Sequence, residues 1–180
     1  MRKDKLIFLG GIHGVGKGTF CKKLSNEIQL ECVTASQLIN WAKINNNKQS
    51  KTVENINNTQ QILINSLNER KKDRTPFLLD GHYCLLNQEK KPTSIDILTF
   101  KKITPGLLLI LTEDSKVIKS RLEERDQMTY TLDLINQMQE LEIAHAKLLS
   151  SKLEVELISF TKEDFPDTIN KIKTFNEDTY

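Results

Sequence analysis

Residues 5–19, KLIFLGGIHGVGKGT, join a short apolar run to a glycine-rich turn. The run from Leu6 to Leu9 is typical of a strand that is buried on both faces of a parallel sheet. The turn fits the pattern G-x-x-x-x-G-K with Gly11, Gly16 and Lys17, and helical spacing begins at Lys17. A strand, a turn and a helix in this order predict a phosphate-binding loop, in which Lys17 reaches the terminal phosphates.

Glycine usage supports this interpretation, because five of the seven glycines lie between residues 10 and 18. A phosphate chain needs several backbone N–H groups that face one concavity, and side chains there would block its approach. The hydroxyl comes at Thr19, because Gly18 follows the lysine. We therefore expect Thr19 to contact phosphate or Mg²⁺; the alternative is a strand–helix turn that binds no ligand. The expected nucleotide-binding residues are Gly11, His13, Gly14, Val15, Gly16, Lys17, Gly18 and Thr19.

The composition indicates an ordinary soluble domain rather than a nucleic-acid or membrane protein. The 180 residues are 38% hydrophobic and 28% charged, with a net charge of +2, so no strong global field attracts polyanions. No apolar run approaches the roughly 20 residues that cross a bilayer, and we expect no signal peptide because the polar first residues lead directly into the first strand. Cys21, Cys32 and Cys84 lack metal-binding spacing. We expect one cytoplasmic domain, residues 1–180, with reduced thiols.

Strand-like and helix-like segments alternate along the chain. Strands are predicted at 6–9, 30–34, 76–80, 107–112 and 155–158, and a small hairpin is predicted around 90–92. Helices are predicted at 17–29, 36–43, 52–72 and 97–103, then in a fifth segment that carries Val117, Ile118 and Leu122, and at 132–151 and 165–175. We expect Ser36 to cap the second helix and Asp114 or Ser115 the fifth. This order predicts an α/β fold, a five-stranded parallel sheet with helices on both faces.

The carboxyl ends of neighbouring parallel strands meet at one edge of a sheet. We therefore expect Lys17, Asp80 and the residues after Thr112 to surround one crevice. Asp80 follows a buried apolar strand, which favours a functional carboxylate over a surface Asp-Gly turn. His82 would face the same crevice, where it could bond the acceptor or the loop backbone. We expect His13 to contribute its N–H and His145 to face solvent.

Three segments in this order resemble the nucleoside monophosphate kinases, in particular the adenylate kinase group. They are the phosphate loop at 11–19, the segment Leu78-Leu79-Asp80-Gly81-His82, and the arginines of Arg121-Leu122-Glu123-Glu124-Arg125. Without a long lid insertion, the chain is most similar to the short-lid archaeal-type adenylate kinases, which are related to a eukaryotic ribosome-assembly factor. Gln139 and Glu142-Ile143-Ala144 stand where that type has its Gln and an alanine-rich helix.

The resemblance implies a three-layer P-loop fold with an acceptor-binding helical region at about 36–74 and a short lid at about 121–133. It implies ATP and Mg²⁺ as cofactors, with Lys17 holding donor phosphates and Thr19 and Asp80 holding the metal. Arg121 would stack on adenine or approach phosphate, and Arg125 would neutralise the transferring group. The alternative for these two arginines, which lie four residues apart, is an exposed helix face.

The acceptor side departs from that family. Arginine is absent from 36–43 and from the segment after His82, and Ile143 stands where an arginine is expected. We expect Thr34, Ser36, Lys51, Gln60 and His82 to bind the acceptor. Lys43, Lys48 and Gln61 are further candidates.

Three functions remain open at this stage. The first is a Mg–ATP-dependent kinase for a nucleotide, most simply AMP, which requires no strong base because a monophosphate is already ionised. The second is an ATP-binding switch that acts on a protein or RNA partner, favoured by the absent arginines and the basic cluster at 70–74. The third is a kinase for a hydroxyl acceptor such as a nucleoside, in which Asp80 or His82 would accept the proton.

Overall fold

The computed structural model describes residues 6–45, 56–72, 75–89, 91–127 and 129–177. The strands are β1 (Leu6–Gly10), β2 (Glu31–Thr34), β3 (Phe77–Asp80), β4 (Cys84–Leu86), β5 (Pro92–Ser94), β6 (Leu107–Leu111) and β7 (Leu157–Phe160). The helices are α1 (Lys17–Glu27), α2 (Ala35–Asn45), α3 (Ile56–Lys71), α4 (Ile97–Ile103), α5 (Ser115–Asp126), α6 (Leu132–Leu153) and α7 (Phe165–Glu177). None of the helices in these ranges is long and apolar enough to cross a membrane.

Five strands form a parallel sheet in the order β2-β3-β1-β6-β7. Every residue of the central strand β1 is buried. Ile7 and Leu9 pack on one face against α1, α5 and α7, whereas Leu6 and Phe8 pack on the other against α3, α4 and α6. The predicted five-stranded sheet with helices on both faces is thus confirmed, and its continuous apolar strands follow from burial on both sides.

The strand register places the predicted site at the carboxyl edge of the sheet. Leu9 pairs with Asp80 across β1 and β3, and Gly10 pairs with Ile110 across β1 and β6. Thr34 at the end of β2 pairs with Asp80 as well. The phosphate loop, Asp80 and Thr34 therefore emerge beside one another.

Local details differ from the predictions at several places. The last strand lies at 157–160 rather than 155–158, because α6 extends to Leu153 and Glu154 closes it in the left-handed conformation. The predicted cap Ser36 is wrong: the Oγ1 of Thr34 accepts the N–H of Gln37 at 3.1 Å. Asp114 is confirmed as the cap of α5. The predicted helix at 52–72 is found at 56–71, and 52–55 lie outside the described residues.

The short strands β4 and β5 pair as an antiparallel hairpin, as the sequence predicted, and the hairpin packs against α6. The expectation that His145 faces solvent is wrong. Its ring is 7% exposed, and Nε2 lies 2.6 Å from the carbonyl oxygen of Ile95, next to the hairpin. A polar group buried by a non-local contact of this kind needs such a partner.

Candidate active site

The loop between β1 and α1 has the backbone of a phosphate cradle. Gly11, Gly14 and Gly16 adopt φ of 141°, 79° and 114°, which residues with a β-carbon rarely do. A β-carbon at Gly11 would also lie 2.8 Å from the carbonyl oxygen of Leu111. No side chain caps α1 at Gly16, so the N–H groups of its first turn are left for a ligand. The loop conformation therefore fits a bound phosphate chain.

Lys17 points back into this loop. Its Nζ donates to the carbonyl oxygen of Gly11 at 2.6 Å and lies 3.7 Å from Asp80 Oδ1. The side chain is only 8% exposed. Burial lowers the pKa of Lys17 and raises the pKa of Asp80, and in both cases the partner's charge opposes this larger effect. The pair is thus a partly dehydrated ammonium–carboxylate contact, in which a bound phosphate would stabilise the ammonium.

A cavity of about 630 Å³ opens between the loop, the ends of β2 and β3, and helices α2 to α4. Its apolar wall includes Phe8, Ile39, Leu63, Phe100 and Ile103. Its polar wall includes residues that the sequence predicted for donor, metal and acceptor: Lys17, Thr19, Thr34, Ser36, Gln60, Asp80, His82 and Arg125. The sequence-predicted candidates on both sides of the reaction therefore meet in one space.

The predicted acceptor residues differ in their contacts. Gln60 is 9% exposed and lines the cavity, and no residue in the described part of the chain hydrogen-bonds its amide. Gln61 instead donates to Asn65 at the exposed face of α3. The hydroxyls of Thr34 and Ser36 lie 3.1 Å apart. Lys48, Lys51 and the side chain of Lys43 fall outside the described part.

Two histidines lie at the mouth of the cavity. The rings of His13 and His82 are 4.2 Å apart between centroids. Desolvation, followed by the positive charges of His82, Lys17 and Arg125, lowers the pKa of His13 to about 4. His13 is therefore neutral near pH 7, although its side chain reaches solvent.

The two predicted arginines lie on different sides of the loop. Arg121 donates to the carbonyl oxygens of Gly14 and Val15, each at 3.2 Å, and pairs with Glu113 at 3.1 Å. It borders a smaller pocket of about 130 Å³. Arg125 borders the large cavity, where its NH2 donates to Asp126 at 2.7 Å. Of the residues after Thr112, Arg125 thus borders the Lys17–Asp80 cavity, whereas Glu113 lines the smaller pocket on the other side of Gly16 and Thr19.

Sequence reasoning assigned no role to Glu142 of α6. Its carboxylate is 0% exposed and accepts the N–H groups of Gly11, Tyr83 and Cys84 at 3.1, 2.9 and 3.1 Å. The sequence carried a signal for a buried Glu142. Its position falls on the one face of α6 that is buried, which is formed by residues 135, 138, 142, 145, 146 and 149. A charged residue within an apolar stripe indicates a buried partner.

This combination of a central strand, a glycine loop and a lysine at the start of a helix defines a P-loop fold of the kinase type. A family model described as an AAA domain matches residues 10–139, which is well over half of the chain. The chain belongs to this family. Among curated proteins, none matches the sequence.

Solved structures share the fold at low sequence identity. A gluconokinase from Sinorhizobium meliloti is 14% identical with a TM-score of 0.57, covering 100% of this chain and 98% of that chain. The YorR protein of Bacillus subtilis, solved with phosphorylated GDP, is 19% identical with a TM-score of 0.56, covering 96% and 95%. An uncharacterised protein from Eubacterium ventriosum is 13% identical with a TM-score of 0.55, covering 98% and 99%.

Proposed function

We propose that this protein is a Mg–ATP-dependent phosphotransferase that acts on a nucleotide-sized small molecule by direct in-line transfer. One observation carries the proposal: the Lys17–Asp80 pair and the Gln60 amide border the same cavity. A phosphate held at Lys17 and an acceptor held at Gln60 would meet there without crossing solvent. Phosphoryl transfer depends chiefly on such positioning and on electrostatic stabilisation.

On the donor side, the loop amides and Lys17 would bind the β- and γ-phosphates of ATP. The hydroxyl of Thr19 and the carboxylate of Asp80 are hard oxygen ligands, which suit Mg²⁺. Mg²⁺ supplies positive charge that stabilises the donor phosphates. Arg121, in the smaller pocket, would contact adenine, and Arg125 would neutralise charge in the large cavity. We expect the reaction in the cytoplasm, where ATP is available and thiols remain reduced.

On the acceptor side, the first candidate is a nucleoside monophosphate, with AMP favoured by the family resemblance. The apolar wall can cover a base, and a primary amide such as that of Gln60 can bond a base edge with both donor and acceptor atoms. Thr34 and Ser36 would bond the sugar or the phosphate. The acceptor phosphate is ionised at neutral pH, so transfer to it requires no base.

The second candidate is a hydroxyl acceptor such as a nucleoside. In the described lining of the cavity, the lysine and arginine side chains are those of Lys17 and Arg125, which leaves few cations for a second phosphate. Burial raises the pKa of Asp80, so its carboxylate is a better base than an exposed aspartate. The acceptor oxygen would attack the γ-phosphorus, the bond to ADP would break, and the hydroxyl proton would pass to His82 or, if Asp80 holds Mg²⁺ only through water, to Asp80.

A turnover assay with different acceptors distinguishes the two candidate acceptor classes. The purified chain is incubated with Mg–ATP and, one at a time, with ribo- and deoxynucleoside monophosphates, nucleosides and polyols including gluconate. ADP release and the mass of the product are recorded. The proposal predicts stoichiometric ADP and one phosphorylated acceptor class. A phosphorylated nucleoside or polyol selects the hydroxyl reaction, and ADP release that no acceptor changes contradicts the proposal.

The switch alternative receives less support from the basic cluster at 70–74. Arg70 pairs with Glu31, Lys71 donates to the carbonyl oxygen of Ile103, and Lys72 pairs with Glu69. These three residues therefore bind groups within the protein itself. Residues 73 and 74 lie outside the described part of the chain. ATP hydrolysis that responds only to a macromolecular partner would nevertheless favour the switch.

A further inference from the structure

Glu142 connects the two halves of the site through its two oxygens. Oε2 accepts the N–H of Gly11, the first glycine of the phosphate-loop motif, at 3.1 Å. Oε1 accepts the N–H groups of Tyr83 and Cys84 at 2.9 and 3.1 Å. Tyr83 directly follows His82 and the Asp80 strand end, which line the acceptor cavity. One buried side chain therefore fixes the donor loop and the acceptor segment relative to each other.

The surroundings of Glu142 require a group that only accepts hydrogen bonds. Besides the three N–H groups, the Cys84 thiol donates to Oε1 at 3.6 Å, and Nδ1 of His82 lies 3.7 Å away. Among the described ion pairs, neither a lysine nor an arginine pairs with this carboxylate. An amide in its place would direct its NH₂ at a backbone N–H, which leaves buried donors without an acceptor.

The side chain has no route for independent adjustment, since it is 0% exposed and held by contacts on both oxygens. A ligand that orders the phosphate loop at Gly11 restrains the carboxylate, and the carboxylate in turn restrains Tyr83 and Cys84. Such a link is reciprocal. If one bound substrate raises the protein's affinity for the other by some factor, the second substrate raises the affinity for the first by the same factor.

We propose that Glu142 is a positioning residue that couples occupation of the phosphate loop to the order of the acceptor segment at 82–84, so that donor and acceptor bind synergistically. The coupling rests on the proposed function, because it requires a phosphate ligand in the loop. Glu142 itself contacts backbone N–H groups, the Cys84 thiol and the His82 ring, and it is not part of the cavity lining. Couplings of this kind commonly change affinity by about 5- to 150-fold.

The first test needs no turnover. Amide hydrogen exchange is followed in the wild-type protein with and without the Mg complex of a non-hydrolysable ATP analogue. We expect the nucleotide to slow exchange in peptides covering 11–19 and also in those covering 82–85. Protection confined to 11–19 would overturn the coupling and leave the proposed function standing, whereas the absence of nucleotide binding would contradict both.

Variants then assign the coupling to one side chain. Glu142→Gln should keep nucleotide protection at 11–19 but lose it at 82–85. The matched control is Ser150→Ala on the same helix, because the Ser150 hydroxyl donates to the carbonyl oxygen of Val155, at the helix end and outside the cavity lining. This control should lower thermal stability while leaving the protection pattern unchanged. Equal loss of coupling in both variants would overturn a specific role for Glu142.

The acceptor's binding affinity gives an independent readout. In the wild-type protein, saturating nucleotide should lower the acceptor dissociation constant at least about fivefold. This factor should approach one in Glu142→Gln and recover in part in Glu142→Asp, which keeps a carboxylate on a shorter side chain. A factor unchanged in Glu142→Gln contradicts the proposal. If Glu142→Gln does not fold, the wild-type exchange experiment alone decides.

Discussion

The phosphate loop and the acceptor wall border one cavity, yet they are built in different ways. The loop is a continuous segment, residues 11–19, whose conformation follows from its own glycines. The acceptor wall combines the end of β2, helices α2 to α4, and the segment after β3. A contiguous site can be predicted from spacing, whereas a site assembled from distant segments depends on how the whole sheet is packed. Substitutions in the phosphate loop and in the acceptor wall can therefore test the two regions separately.

The largest expected effect is at Lys17. Lys17→Ala removes the buried ammonium that we propose to hold the donor phosphates, so transfer should fall by about 100-fold or more. Lys22→Ala, on the exposed face of α1, is the matched control and should transfer phosphate normally. Initial rates at saturating ATP and circular dichroism of both variants make the comparison. Full activity in Lys17→Ala would contradict the phosphate-loop assignment.

The second-largest loss of activity is expected at Asp80. Asp80→Asn keeps the shape but removes the charge that faces Lys17 and would hold Mg²⁺, so transfer should fall on the order of 100-fold. Asp167→Asn, an exposed aspartate on α7, serves as control. Because burial raises the pKa of Asp80, wild-type activity should be lost as the pH falls through a value above the ordinary 3.8. A pH–rate profile that shows no loss of activity above pH 3.8 would argue against a raised pKa of an essential Asp80 carboxylate.

At the acceptor wall a smaller and more selective effect is expected. Gln60→Leu removes a buried amide that faces the cavity, and the acceptor KM should rise about tenfold while the ATP KM stays unchanged. Gln61→Leu changes a neighbouring amide that bonds Asn65 at the surface, so both KM values should remain normal. A rise in the ATP KM, or equal effects in the two variants, would place acceptor recognition elsewhere.

The smallest expected effect concerns His13 and pH. Its pKa is about 4 in the folded protein against 6.5 for an unperturbed histidine, so folding disfavours its protonation. The stability that a neutral His13 provides is present above pH 6.5 and is lost as the pH falls toward 4. Thermal unfolding from pH 7 to pH 4 should therefore show a steeper fall for the wild-type protein than for His13→Asn. Parallel curves would contradict a lowered pKa of His13.

The sequence predicted the strand, loop and helix at 6–27 well because each of these parts is local. The apolar run, the glycine spacing and Lys17 specify strand, loop and helix without reference to the rest of the chain. The same holds for Asp114 as a helix cap and for the hairpin around 90–92. The arrangement of strands was accessible too, since parallel strands separated by helices leave few alternatives.

The errors have two physical causes, which are contacts from residues far along the chain and local hydrogen bonds that shift the end of an element. His145 and Glu142 look like surface residues by type, but the hairpin and the phosphate loop supply their partners across 50 and 131 positions. The last strand begins later than predicted, because Glu154 closes α6 and a bond between Ser150 and Val155 ties the next residues to it. Gln60 and Gln61 could not be told apart until the helix face was known.

Calorimetric titration of the wild-type protein with the Mg complex of a non-hydrolysable ATP analogue tests the central claim most directly. If the phosphate loop binds a nucleotide, we expect saturable binding with one nucleotide per chain, and loss of that binding in Lys17→Ala but not in Lys22→Ala. Heats no larger than those of dilution for the wild-type protein would contradict it.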